Sequence, residues 1–98
     1  RNVAITLPRT CRVKDRPVIV VDDVISSGTT IAVLARKLRA AGARMITVYT
    51  THALYDPAAD RAMRAAGVDR IYSCDGIPHP SNAISLAPVL AEGLRQWR

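Results

Sequence analysis

Apolar runs at residues 18–21, 45–50 and 70–74 begin at intervals of about 25 residues, and each interval holds one amphipathic stretch. This spacing limits the fold more than any other feature. A chain that returns to a neighbouring strand in the same direction needs a crossover of a dozen or more residues, usually a helix, and that crossover is right-handed. Strand–helix–strand units of this length imply an α/β domain built on a parallel sheet. The run VIVV at 18–21 is continuous and largely β-branched, which suits a central strand covered on both faces.

Local signals mark where the elements stop. Ile31, Leu34, Ala35, Leu38 and Ala41 recur at helical spacing with Arg36, Lys37 and Arg39 off the stripe, and Gly42 stands where a left-handed C-terminal cap belongs. Asp56 followed by Pro57 reads as an N-cap and first helical residue, and Ala59, Ala62, Met63 and Ala66 form a small apolar stripe ending at Gly67. A loop through Gly76, Pro78 and Pro80 leads to Ser85 as the cap of a last helix with Leu86, Val89, Leu90, Leu94 and Trp97 on one face. Pro88 fits there because it falls in the first turn. VAITL at 3–7 reads as a further short strand stopped by Pro8. RAAGARMI at 39–46 and RAAGVDRI at 64–71 share a cadence that two ordinary helix-to-strand junctions explain.

Composition narrows the class. Ninety-eight residues make one domain, and 49% apolar with 22% charged residues is a globular balance. No apolar run approaches the roughly 18–20 residues of a membrane span and no secretory signal opens the chain, so a soluble, cytoplasmic protein is expected. Cys11 and Cys74 are too far apart in sequence for a metal knuckle or redox pair. A net charge of +6 suits nucleic acid, a phosphorylated ligand or an acidic partner. Five cations fall in the first sixteen residues with no aromatic residues among them, which argues against a nucleic-acid platform.

The chemistry concentrates in VVDDVISSGTT at 20–30, which sits where the carboxyl end of the first central strand should meet a helix. Ligands of parallel sheets bind at that edge. Gly28 lets backbone approach a ligand, and the N–H groups of residues 27–30 open the helix without intrahelical partners. Ser26, Ser27, Thr29 and Thr30 add hydroxyl donors, so a phosphate monoester is the natural occupant. No Lys follows the Gly and no GxxxxGK[ST] spacing is present, which argues against a nucleoside triphosphatase loop. Asp22 and Asp23 would repel a phosphate unless a sugar diol or a water-held magnesium ion lies between. A phosphorylated sugar reconciles the two halves.

Residues 19–30, IVVDDVISSGTT, resemble the phosphoribosyl pyrophosphate loop shared by type I phosphoribosyltransferases and ribose-phosphate pyrophosphokinases. THALY at 51–55, CDGIPHP at 74–80 and SLAPVLAEGL at 85–94 resemble the pyrophosphokinases, also called phosphoribosyl pyrophosphate synthetases. The resemblance runs through nearly the whole chain and covers the C-terminal part of such an enzyme. It implies a Rossmann-like, three-layer phosphoribosyltransferase domain over 1–98 within a longer two-domain protein. It implies that Asp22 and Asp23 hold the ribose hydroxyls and contribute to a magnesium site through water, and that Ser26, Ser27, Gly28, Thr29 and Thr30 bind the 5-phosphate.

The implied reaction transfers pyrophosphate from Mg-ATP to ribose 5-phosphate. Its catalytic Lys and Arg belong on a loop that would precede Arg1, so the chain alone is expected to be inactive. A homo-oligomer, no nucleic acid and no membrane complete the expectation. The alternatives are a phosphoribosyltransferase domain, or a non-catalytic associated subunit that binds phosphoribosyl pyrophosphate. The chain departs from the family pattern at Ser26, where an acid is usual, at Thr29, where a second Gly is usual, and at Gly76, where a Thr is usual. His52 and His79 are expected as satisfied surface histidines, Cys74 as core, Cys11 as an uncatalytic thiol and Trp97 as an anchor of the last helix.

Overall fold

A computed structural model describes residues 12–96. Their elements run β1 (Pro17–Ile25), α1 (Thr29–Ala40), β2 (Met45–Ala53), α2 (Pro57–Ala65), β3 (Arg70–Cys74), β4 (Asn82–Ile84) and α3 (Ala87–Gln96). The four strands form one parallel sheet in the order β1-β2-β3-β4. The α/β class and the alternation expected from the spacing are therefore those of the structure. The expected strand at 3–7, Cys11, Trp97 and the side chains of Val89, Leu90 and Leu94 lie outside the described residues.

Successive crossovers that advance the same way across a sheet and keep right-handedness place their helices on one face. α1 and α2 accordingly pack against each other. Beneath them the core gathers Ile31, Ala35 and Leu38 of α1, Ile46 and Val48 of β2, Met63 of α2 and Ile71 of β3. Tyr55 aside, Thr50 and Ser73 are the polar residues buried as a whole among the described residues.

Among the described residues β1 lies at the edge of the sheet, and Ile19 and Val21 are 65% and 79% exposed, so the cover expected on both faces is present there on one. A run apolar on both faces reads as doubly buried, but α1 and α2 cover only the face that carries Val18 and Val20. The other face aligns Val21 with Tyr49 and Tyr72, whose rings lie 5.6 Å apart.

Both helix-to-strand junctions use the same device. Gly42 and Gly67 adopt φ of 96° and 122°, the left-handed region that favours glycine. In each RAAG segment the arginine reaches past the turn to a carbonyl five residues on: Arg39 Nη1 donates to Arg44 O and Arg64 Nη1 to Asp69 O, both at 3.0 Å. Arg39 does more. Its guanidinium also donates to Ala43 O at 3.1 Å and twice to Gly67 O, at 3.0 and 2.9 Å, and pairs with Asp69. Asp69 Oδ2 in turn accepts the Ile46 amide at 2.7 Å. One side chain thus joins the end of α1, the entry to β2 and the α2–β3 turn.

Asp56 caps α2 as expected, accepting the Ala59 amide at 2.8 Å, with Pro57 opening the helix. Ser85 is not adjacent to α3: Leu86 stands immediately before Ala87, and its amide donates to Asp75 Oδ1 at 2.7 Å. β4 falls in a stretch read as loop. Asn82 explains it, donating to Ser73 Oγ and Cys74 O at 2.9 Å and so fastening three residues to β3 by side-chain chemistry that periodicity does not register.

Replacing Arg39 by Ala should lower stability by about 1–3 kcal/mol, mostly through the carbonyls it leaves unpaired, since the half-exposed ion pair with Asp69 counts for less. Arg39→Lys should recover only part, because an ammonium cannot reproduce the fork. Urea unfolding midpoints read both, and an Arg39→Ala loss under about 0.5 kcal/mol would remove the role assigned to this residue.

Candidate functional site

β1 reaches the site through Ile25, which is buried, and the chain then turns through Ser26, Ser27 and Gly28 into α1. The turn needs glycine for two reasons. Gly28 has φ 74° as the N-cap residue of α1, and a Cβ there would lie 3.1 Å from both Cγ and Sδ of Met63. Met63 is 0% exposed and projects from α2 directly beneath the loop. Its helical spacing marks it as core in the sequence, but nothing there links it to the glycine.

Above Met63 the loop holds its own hydroxyls in order. Ser27 Oγ donates to Thr29 Oγ1 at 3.1 Å, and the Thr29 amide leans on Ser27 Oγ at 3.4 Å. No acidic residue lies in the first turn of α1, so the positive end of the helix dipole is not offset locally. Asp22, Ser26, Ser27, Gly28, Thr29 and Thr30 line one cavity of about 70 Å³, with Val24, Ile25 and Ile31 as its apolar part. That is several times the roughly 10–15 Å³ needed to admit one water. Six of the seven residues singled out from the sequence thus meet around one small space.

Asp23 stands apart. It is exposed, it does not line the cavity, and its Oδ1 accepts the Val24 amide at 2.9 Å. The two adjacent acids therefore differ: Asp22 faces the loop hydroxyls, while Asp23 faces solvent and steadies the strand end. Among the described residues no three His, Cys, Asp or Glu side chains converge in a ready-made metal cage. Magnesium does not need one, since it keeps waters and takes ligand oxygens beside one or two carboxylates. Asp22 next to the hydroxyl-lined cavity, with Asp23 one residue on, fits an ion shared with a ligand.

One histidine departs from expectation and the other is satisfied as expected. His52, at the end of β2 and paired in register with Val24, has its Nδ1 enclosed with no hydrogen-bond partner among the described residues. His79 is held at both nitrogens: Nδ1 accepts the Ser81 amide at 3.0 Å, which puts the proton on Nε2, 2.8 Å from Tyr55 O. Cys74 is half-buried rather than core. No helix among the described residues is long and apolar enough to cross a membrane.

The family model for the phosphoribosyl transferase domain matches residues 2–89. The chain belongs to that family. A ribose-phosphate pyrophosphokinase of Methanopyrus kandleri is 37% identical over 87 residues, which take in 89% of this chain and 30% of that relative. One from Thermococcus kodakarensis is 40% identical over 79 residues, covering 80% of this chain and 28% of the relative. A crystal structure of the phosphoribosylpyrophosphate synthetase from Mycobacterium smegmatis matches with a TM-score of 0.73 and 27% identity over 88% of this chain and 31% of that one. This phosphoribosyl transferase domain thus spans about 30% of the length of the curated relatives it matches.

Gly28→Ala should cost about 1–2 kcal/mol from its left-handed backbone alone, and more from the approach to Met63. In a Met63→Ala background the second part should vanish, so a double-mutant cycle read by thermal or urea unfolding should show coupling of at least about 0.5 kcal/mol. Strict additivity would mean that Met63 does not shape the loop.

Proposed function

We propose that the chain is the ribose 5-phosphate-binding part of a ribose-phosphate pyrophosphokinase, whose reaction moves pyrophosphate from Mg-ATP to the anomeric hydroxyl of ribose 5-phosphate. The observation that carries this reading is the single cavity shared by Asp22 and the Ser26–Thr30 loop. It offers acceptors to sugar hydroxyls on one side and amide and hydroxyl donors to a phosphate on the other. The pyrophosphokinases of Methanopyrus kandleri and Thermococcus kodakarensis favour this chemistry over base transfer.

Each residue then has a role. Ser26, Ser27, Thr29 and Thr30 donate to the 5-phosphate, and Gly28 opens the approach that a side chain would close. Asp22 accepts from the ribose hydroxyls, and Asp23, exposed beside it, reaches ligand or metal through water. Magnesium, when bound there, would neutralise phosphoryl charge. Positioning supplies most of the remaining effect in phosphoryl transfer, and this domain's share is to hold the acceptor sugar still. Ser26 in place of an acid removes one negative charge from the loop, which favours the phosphate at the expense of a metal ligand. In this reading ATP is held by other parts of the parent enzyme, which works in the cytoplasm as a self-associated assembly. The 98-residue chain alone does not turn over.

Calorimetric titration with ribose 5-phosphate and with phosphoribosyl pyrophosphate, each with magnesium, tests the reading. Saturable binding of ribose 5-phosphate that falls at least tenfold in Asp22→Asn/Thr30→Val is expected, with no product formed when ATP is added. Unchanged binding in that variant would displace the site, and tighter binding of phosphoribosyl pyrophosphate together with a free base would favour a transferase instead.

A further inference from the structure

A second cavity, of about 550 Å³, opens between α2, the β2–α2 turn and the connection from β3 to β4, and it shares no lining residue with the loop cavity. Its size falls within the range of small-molecule sites, roughly 300–1,000 Å³. Its position follows the carboxyl end of β2, the side on which parallel sheets bind ligands. Tyr55, only 4% exposed, forms part of its wall with its ring 4.3 Å from that of His79, and Pro57, Ile71 and Pro80 complete an apolar lining.

The polar groups around this space are almost all committed to the protein. Both His79 nitrogens are engaged by Tyr55 O and Ser81. Asp56 caps α2, and Asp60 Oδ2 holds Arg64 Nε at 3.0 Å while Arg64 Nη1 bonds Asp69 O. Burial pushes the Tyr55 phenol above its ordinary range, against the lowering effect of a hydrogen bond with Ser81, so it stays neutral at pH 7. Arg61 is the exception: among the charged lining residues, it alone has no hydrogen bond or ion pair to another described residue. With both acids engaged and one whole guanidinium idle, the cavity has unmet donors and an apolar wall.

We propose that this cavity is a second ligand site, separate from the Ser26–Thr30 loop, that takes a small organic anion with a flat apolar body, its charge paired with Arg61. The body lies against Pro57, Pro80 and Ile71, and the anion meets a fork suited to carboxylate or phosphate. The site would tie α2 to the β3–β4 connection.

Heteronuclear NMR titration of the 98-residue chain with benzoate, phenyl phosphate, neutral benzamide and inorganic phosphate tests the assignment. Benzoate and phenyl phosphate should each produce saturable shifts at the amides of Tyr55, Arg61 and Ser81. Benzamide should bind at least tenfold more weakly, and inorganic phosphate should leave the cavity amides unmoved. Arg61→Glu, an exposed helix position, should weaken benzoate at least tenfold with the rest of the spectrum unchanged, and Arg61→Lys should fall between. Non-saturating shifts, shifts confined to the loop, equal binding of benzamide, cavity binding of bare phosphate as strong as benzoate, or unchanged affinity in Arg61→Glu would each overturn the proposal. None of these outcomes depends on whether ribose 5-phosphate binds the loop.

Discussion

The guanidinium of Arg39 fixes the frame on which everything else is placed. By bonding the carbonyls of Ala43, Arg44 and Gly67 and pairing with Asp69, it locks two turns that would otherwise pivot independently on their glycines. Gly67 cannot carry a side chain there, because a Cβ would fall 2.5 Å from Arg39 Cγ. The start of β2 and the approach to β3 are therefore set against the end of α1. Their register decides where α2 lies on the sheet, and α2 decides the shape of the loop.

That last dependence runs through Met63. The phosphate-type loop is not self-supporting: its left-handed glycine rests on a buried methionine from the next crossover. Residues 61 and 63 are about 200° apart around a helix of 3.6 residues per turn, so α2 presents Met63 to the loop and Arg61 to the second cavity from opposite sides. A single nine-residue helix thus supports the loop from beneath and lines the second cavity. The family membership accounts for the loop, while the second space is defined by side chains outside that motif.

Much of this could be read from the chain because the signals were local. Asp56–Pro57, Gly42 and Gly67 act through their own backbone, and each has the conformation its type implies. The cluster from Asp22 to Thr30 was contiguous, so its convergence on one cavity followed once the strand and helix were placed. What was missed depends on distant partners. β4 exists through Asn82 and Ser73, the exposure of Ile19 and Val21 depends on which face α1 and α2 take, and the enclosed His52 Nδ1 depends on how the strand ends pack. Asp22 and Asp23 are neighbours of identical chemistry, and only the course of the strand end separates the one that lines the cavity from the one that does not.

The central claim is that one small cavity holds a sugar phosphate, with its phosphate on the loop and its hydroxyls at Asp22. A crystal structure of the chain with ribose 5-phosphate and magnesium tests it most directly. The account predicts phosphate oxygens within about 3 Å of the amides of residues 27–30 and a ribose hydroxyl within the same distance of the Asp22 carboxylate. Ribose 5-phosphate seated in the cavity beside Arg61, or bound with its phosphate away from the loop, would contradict it.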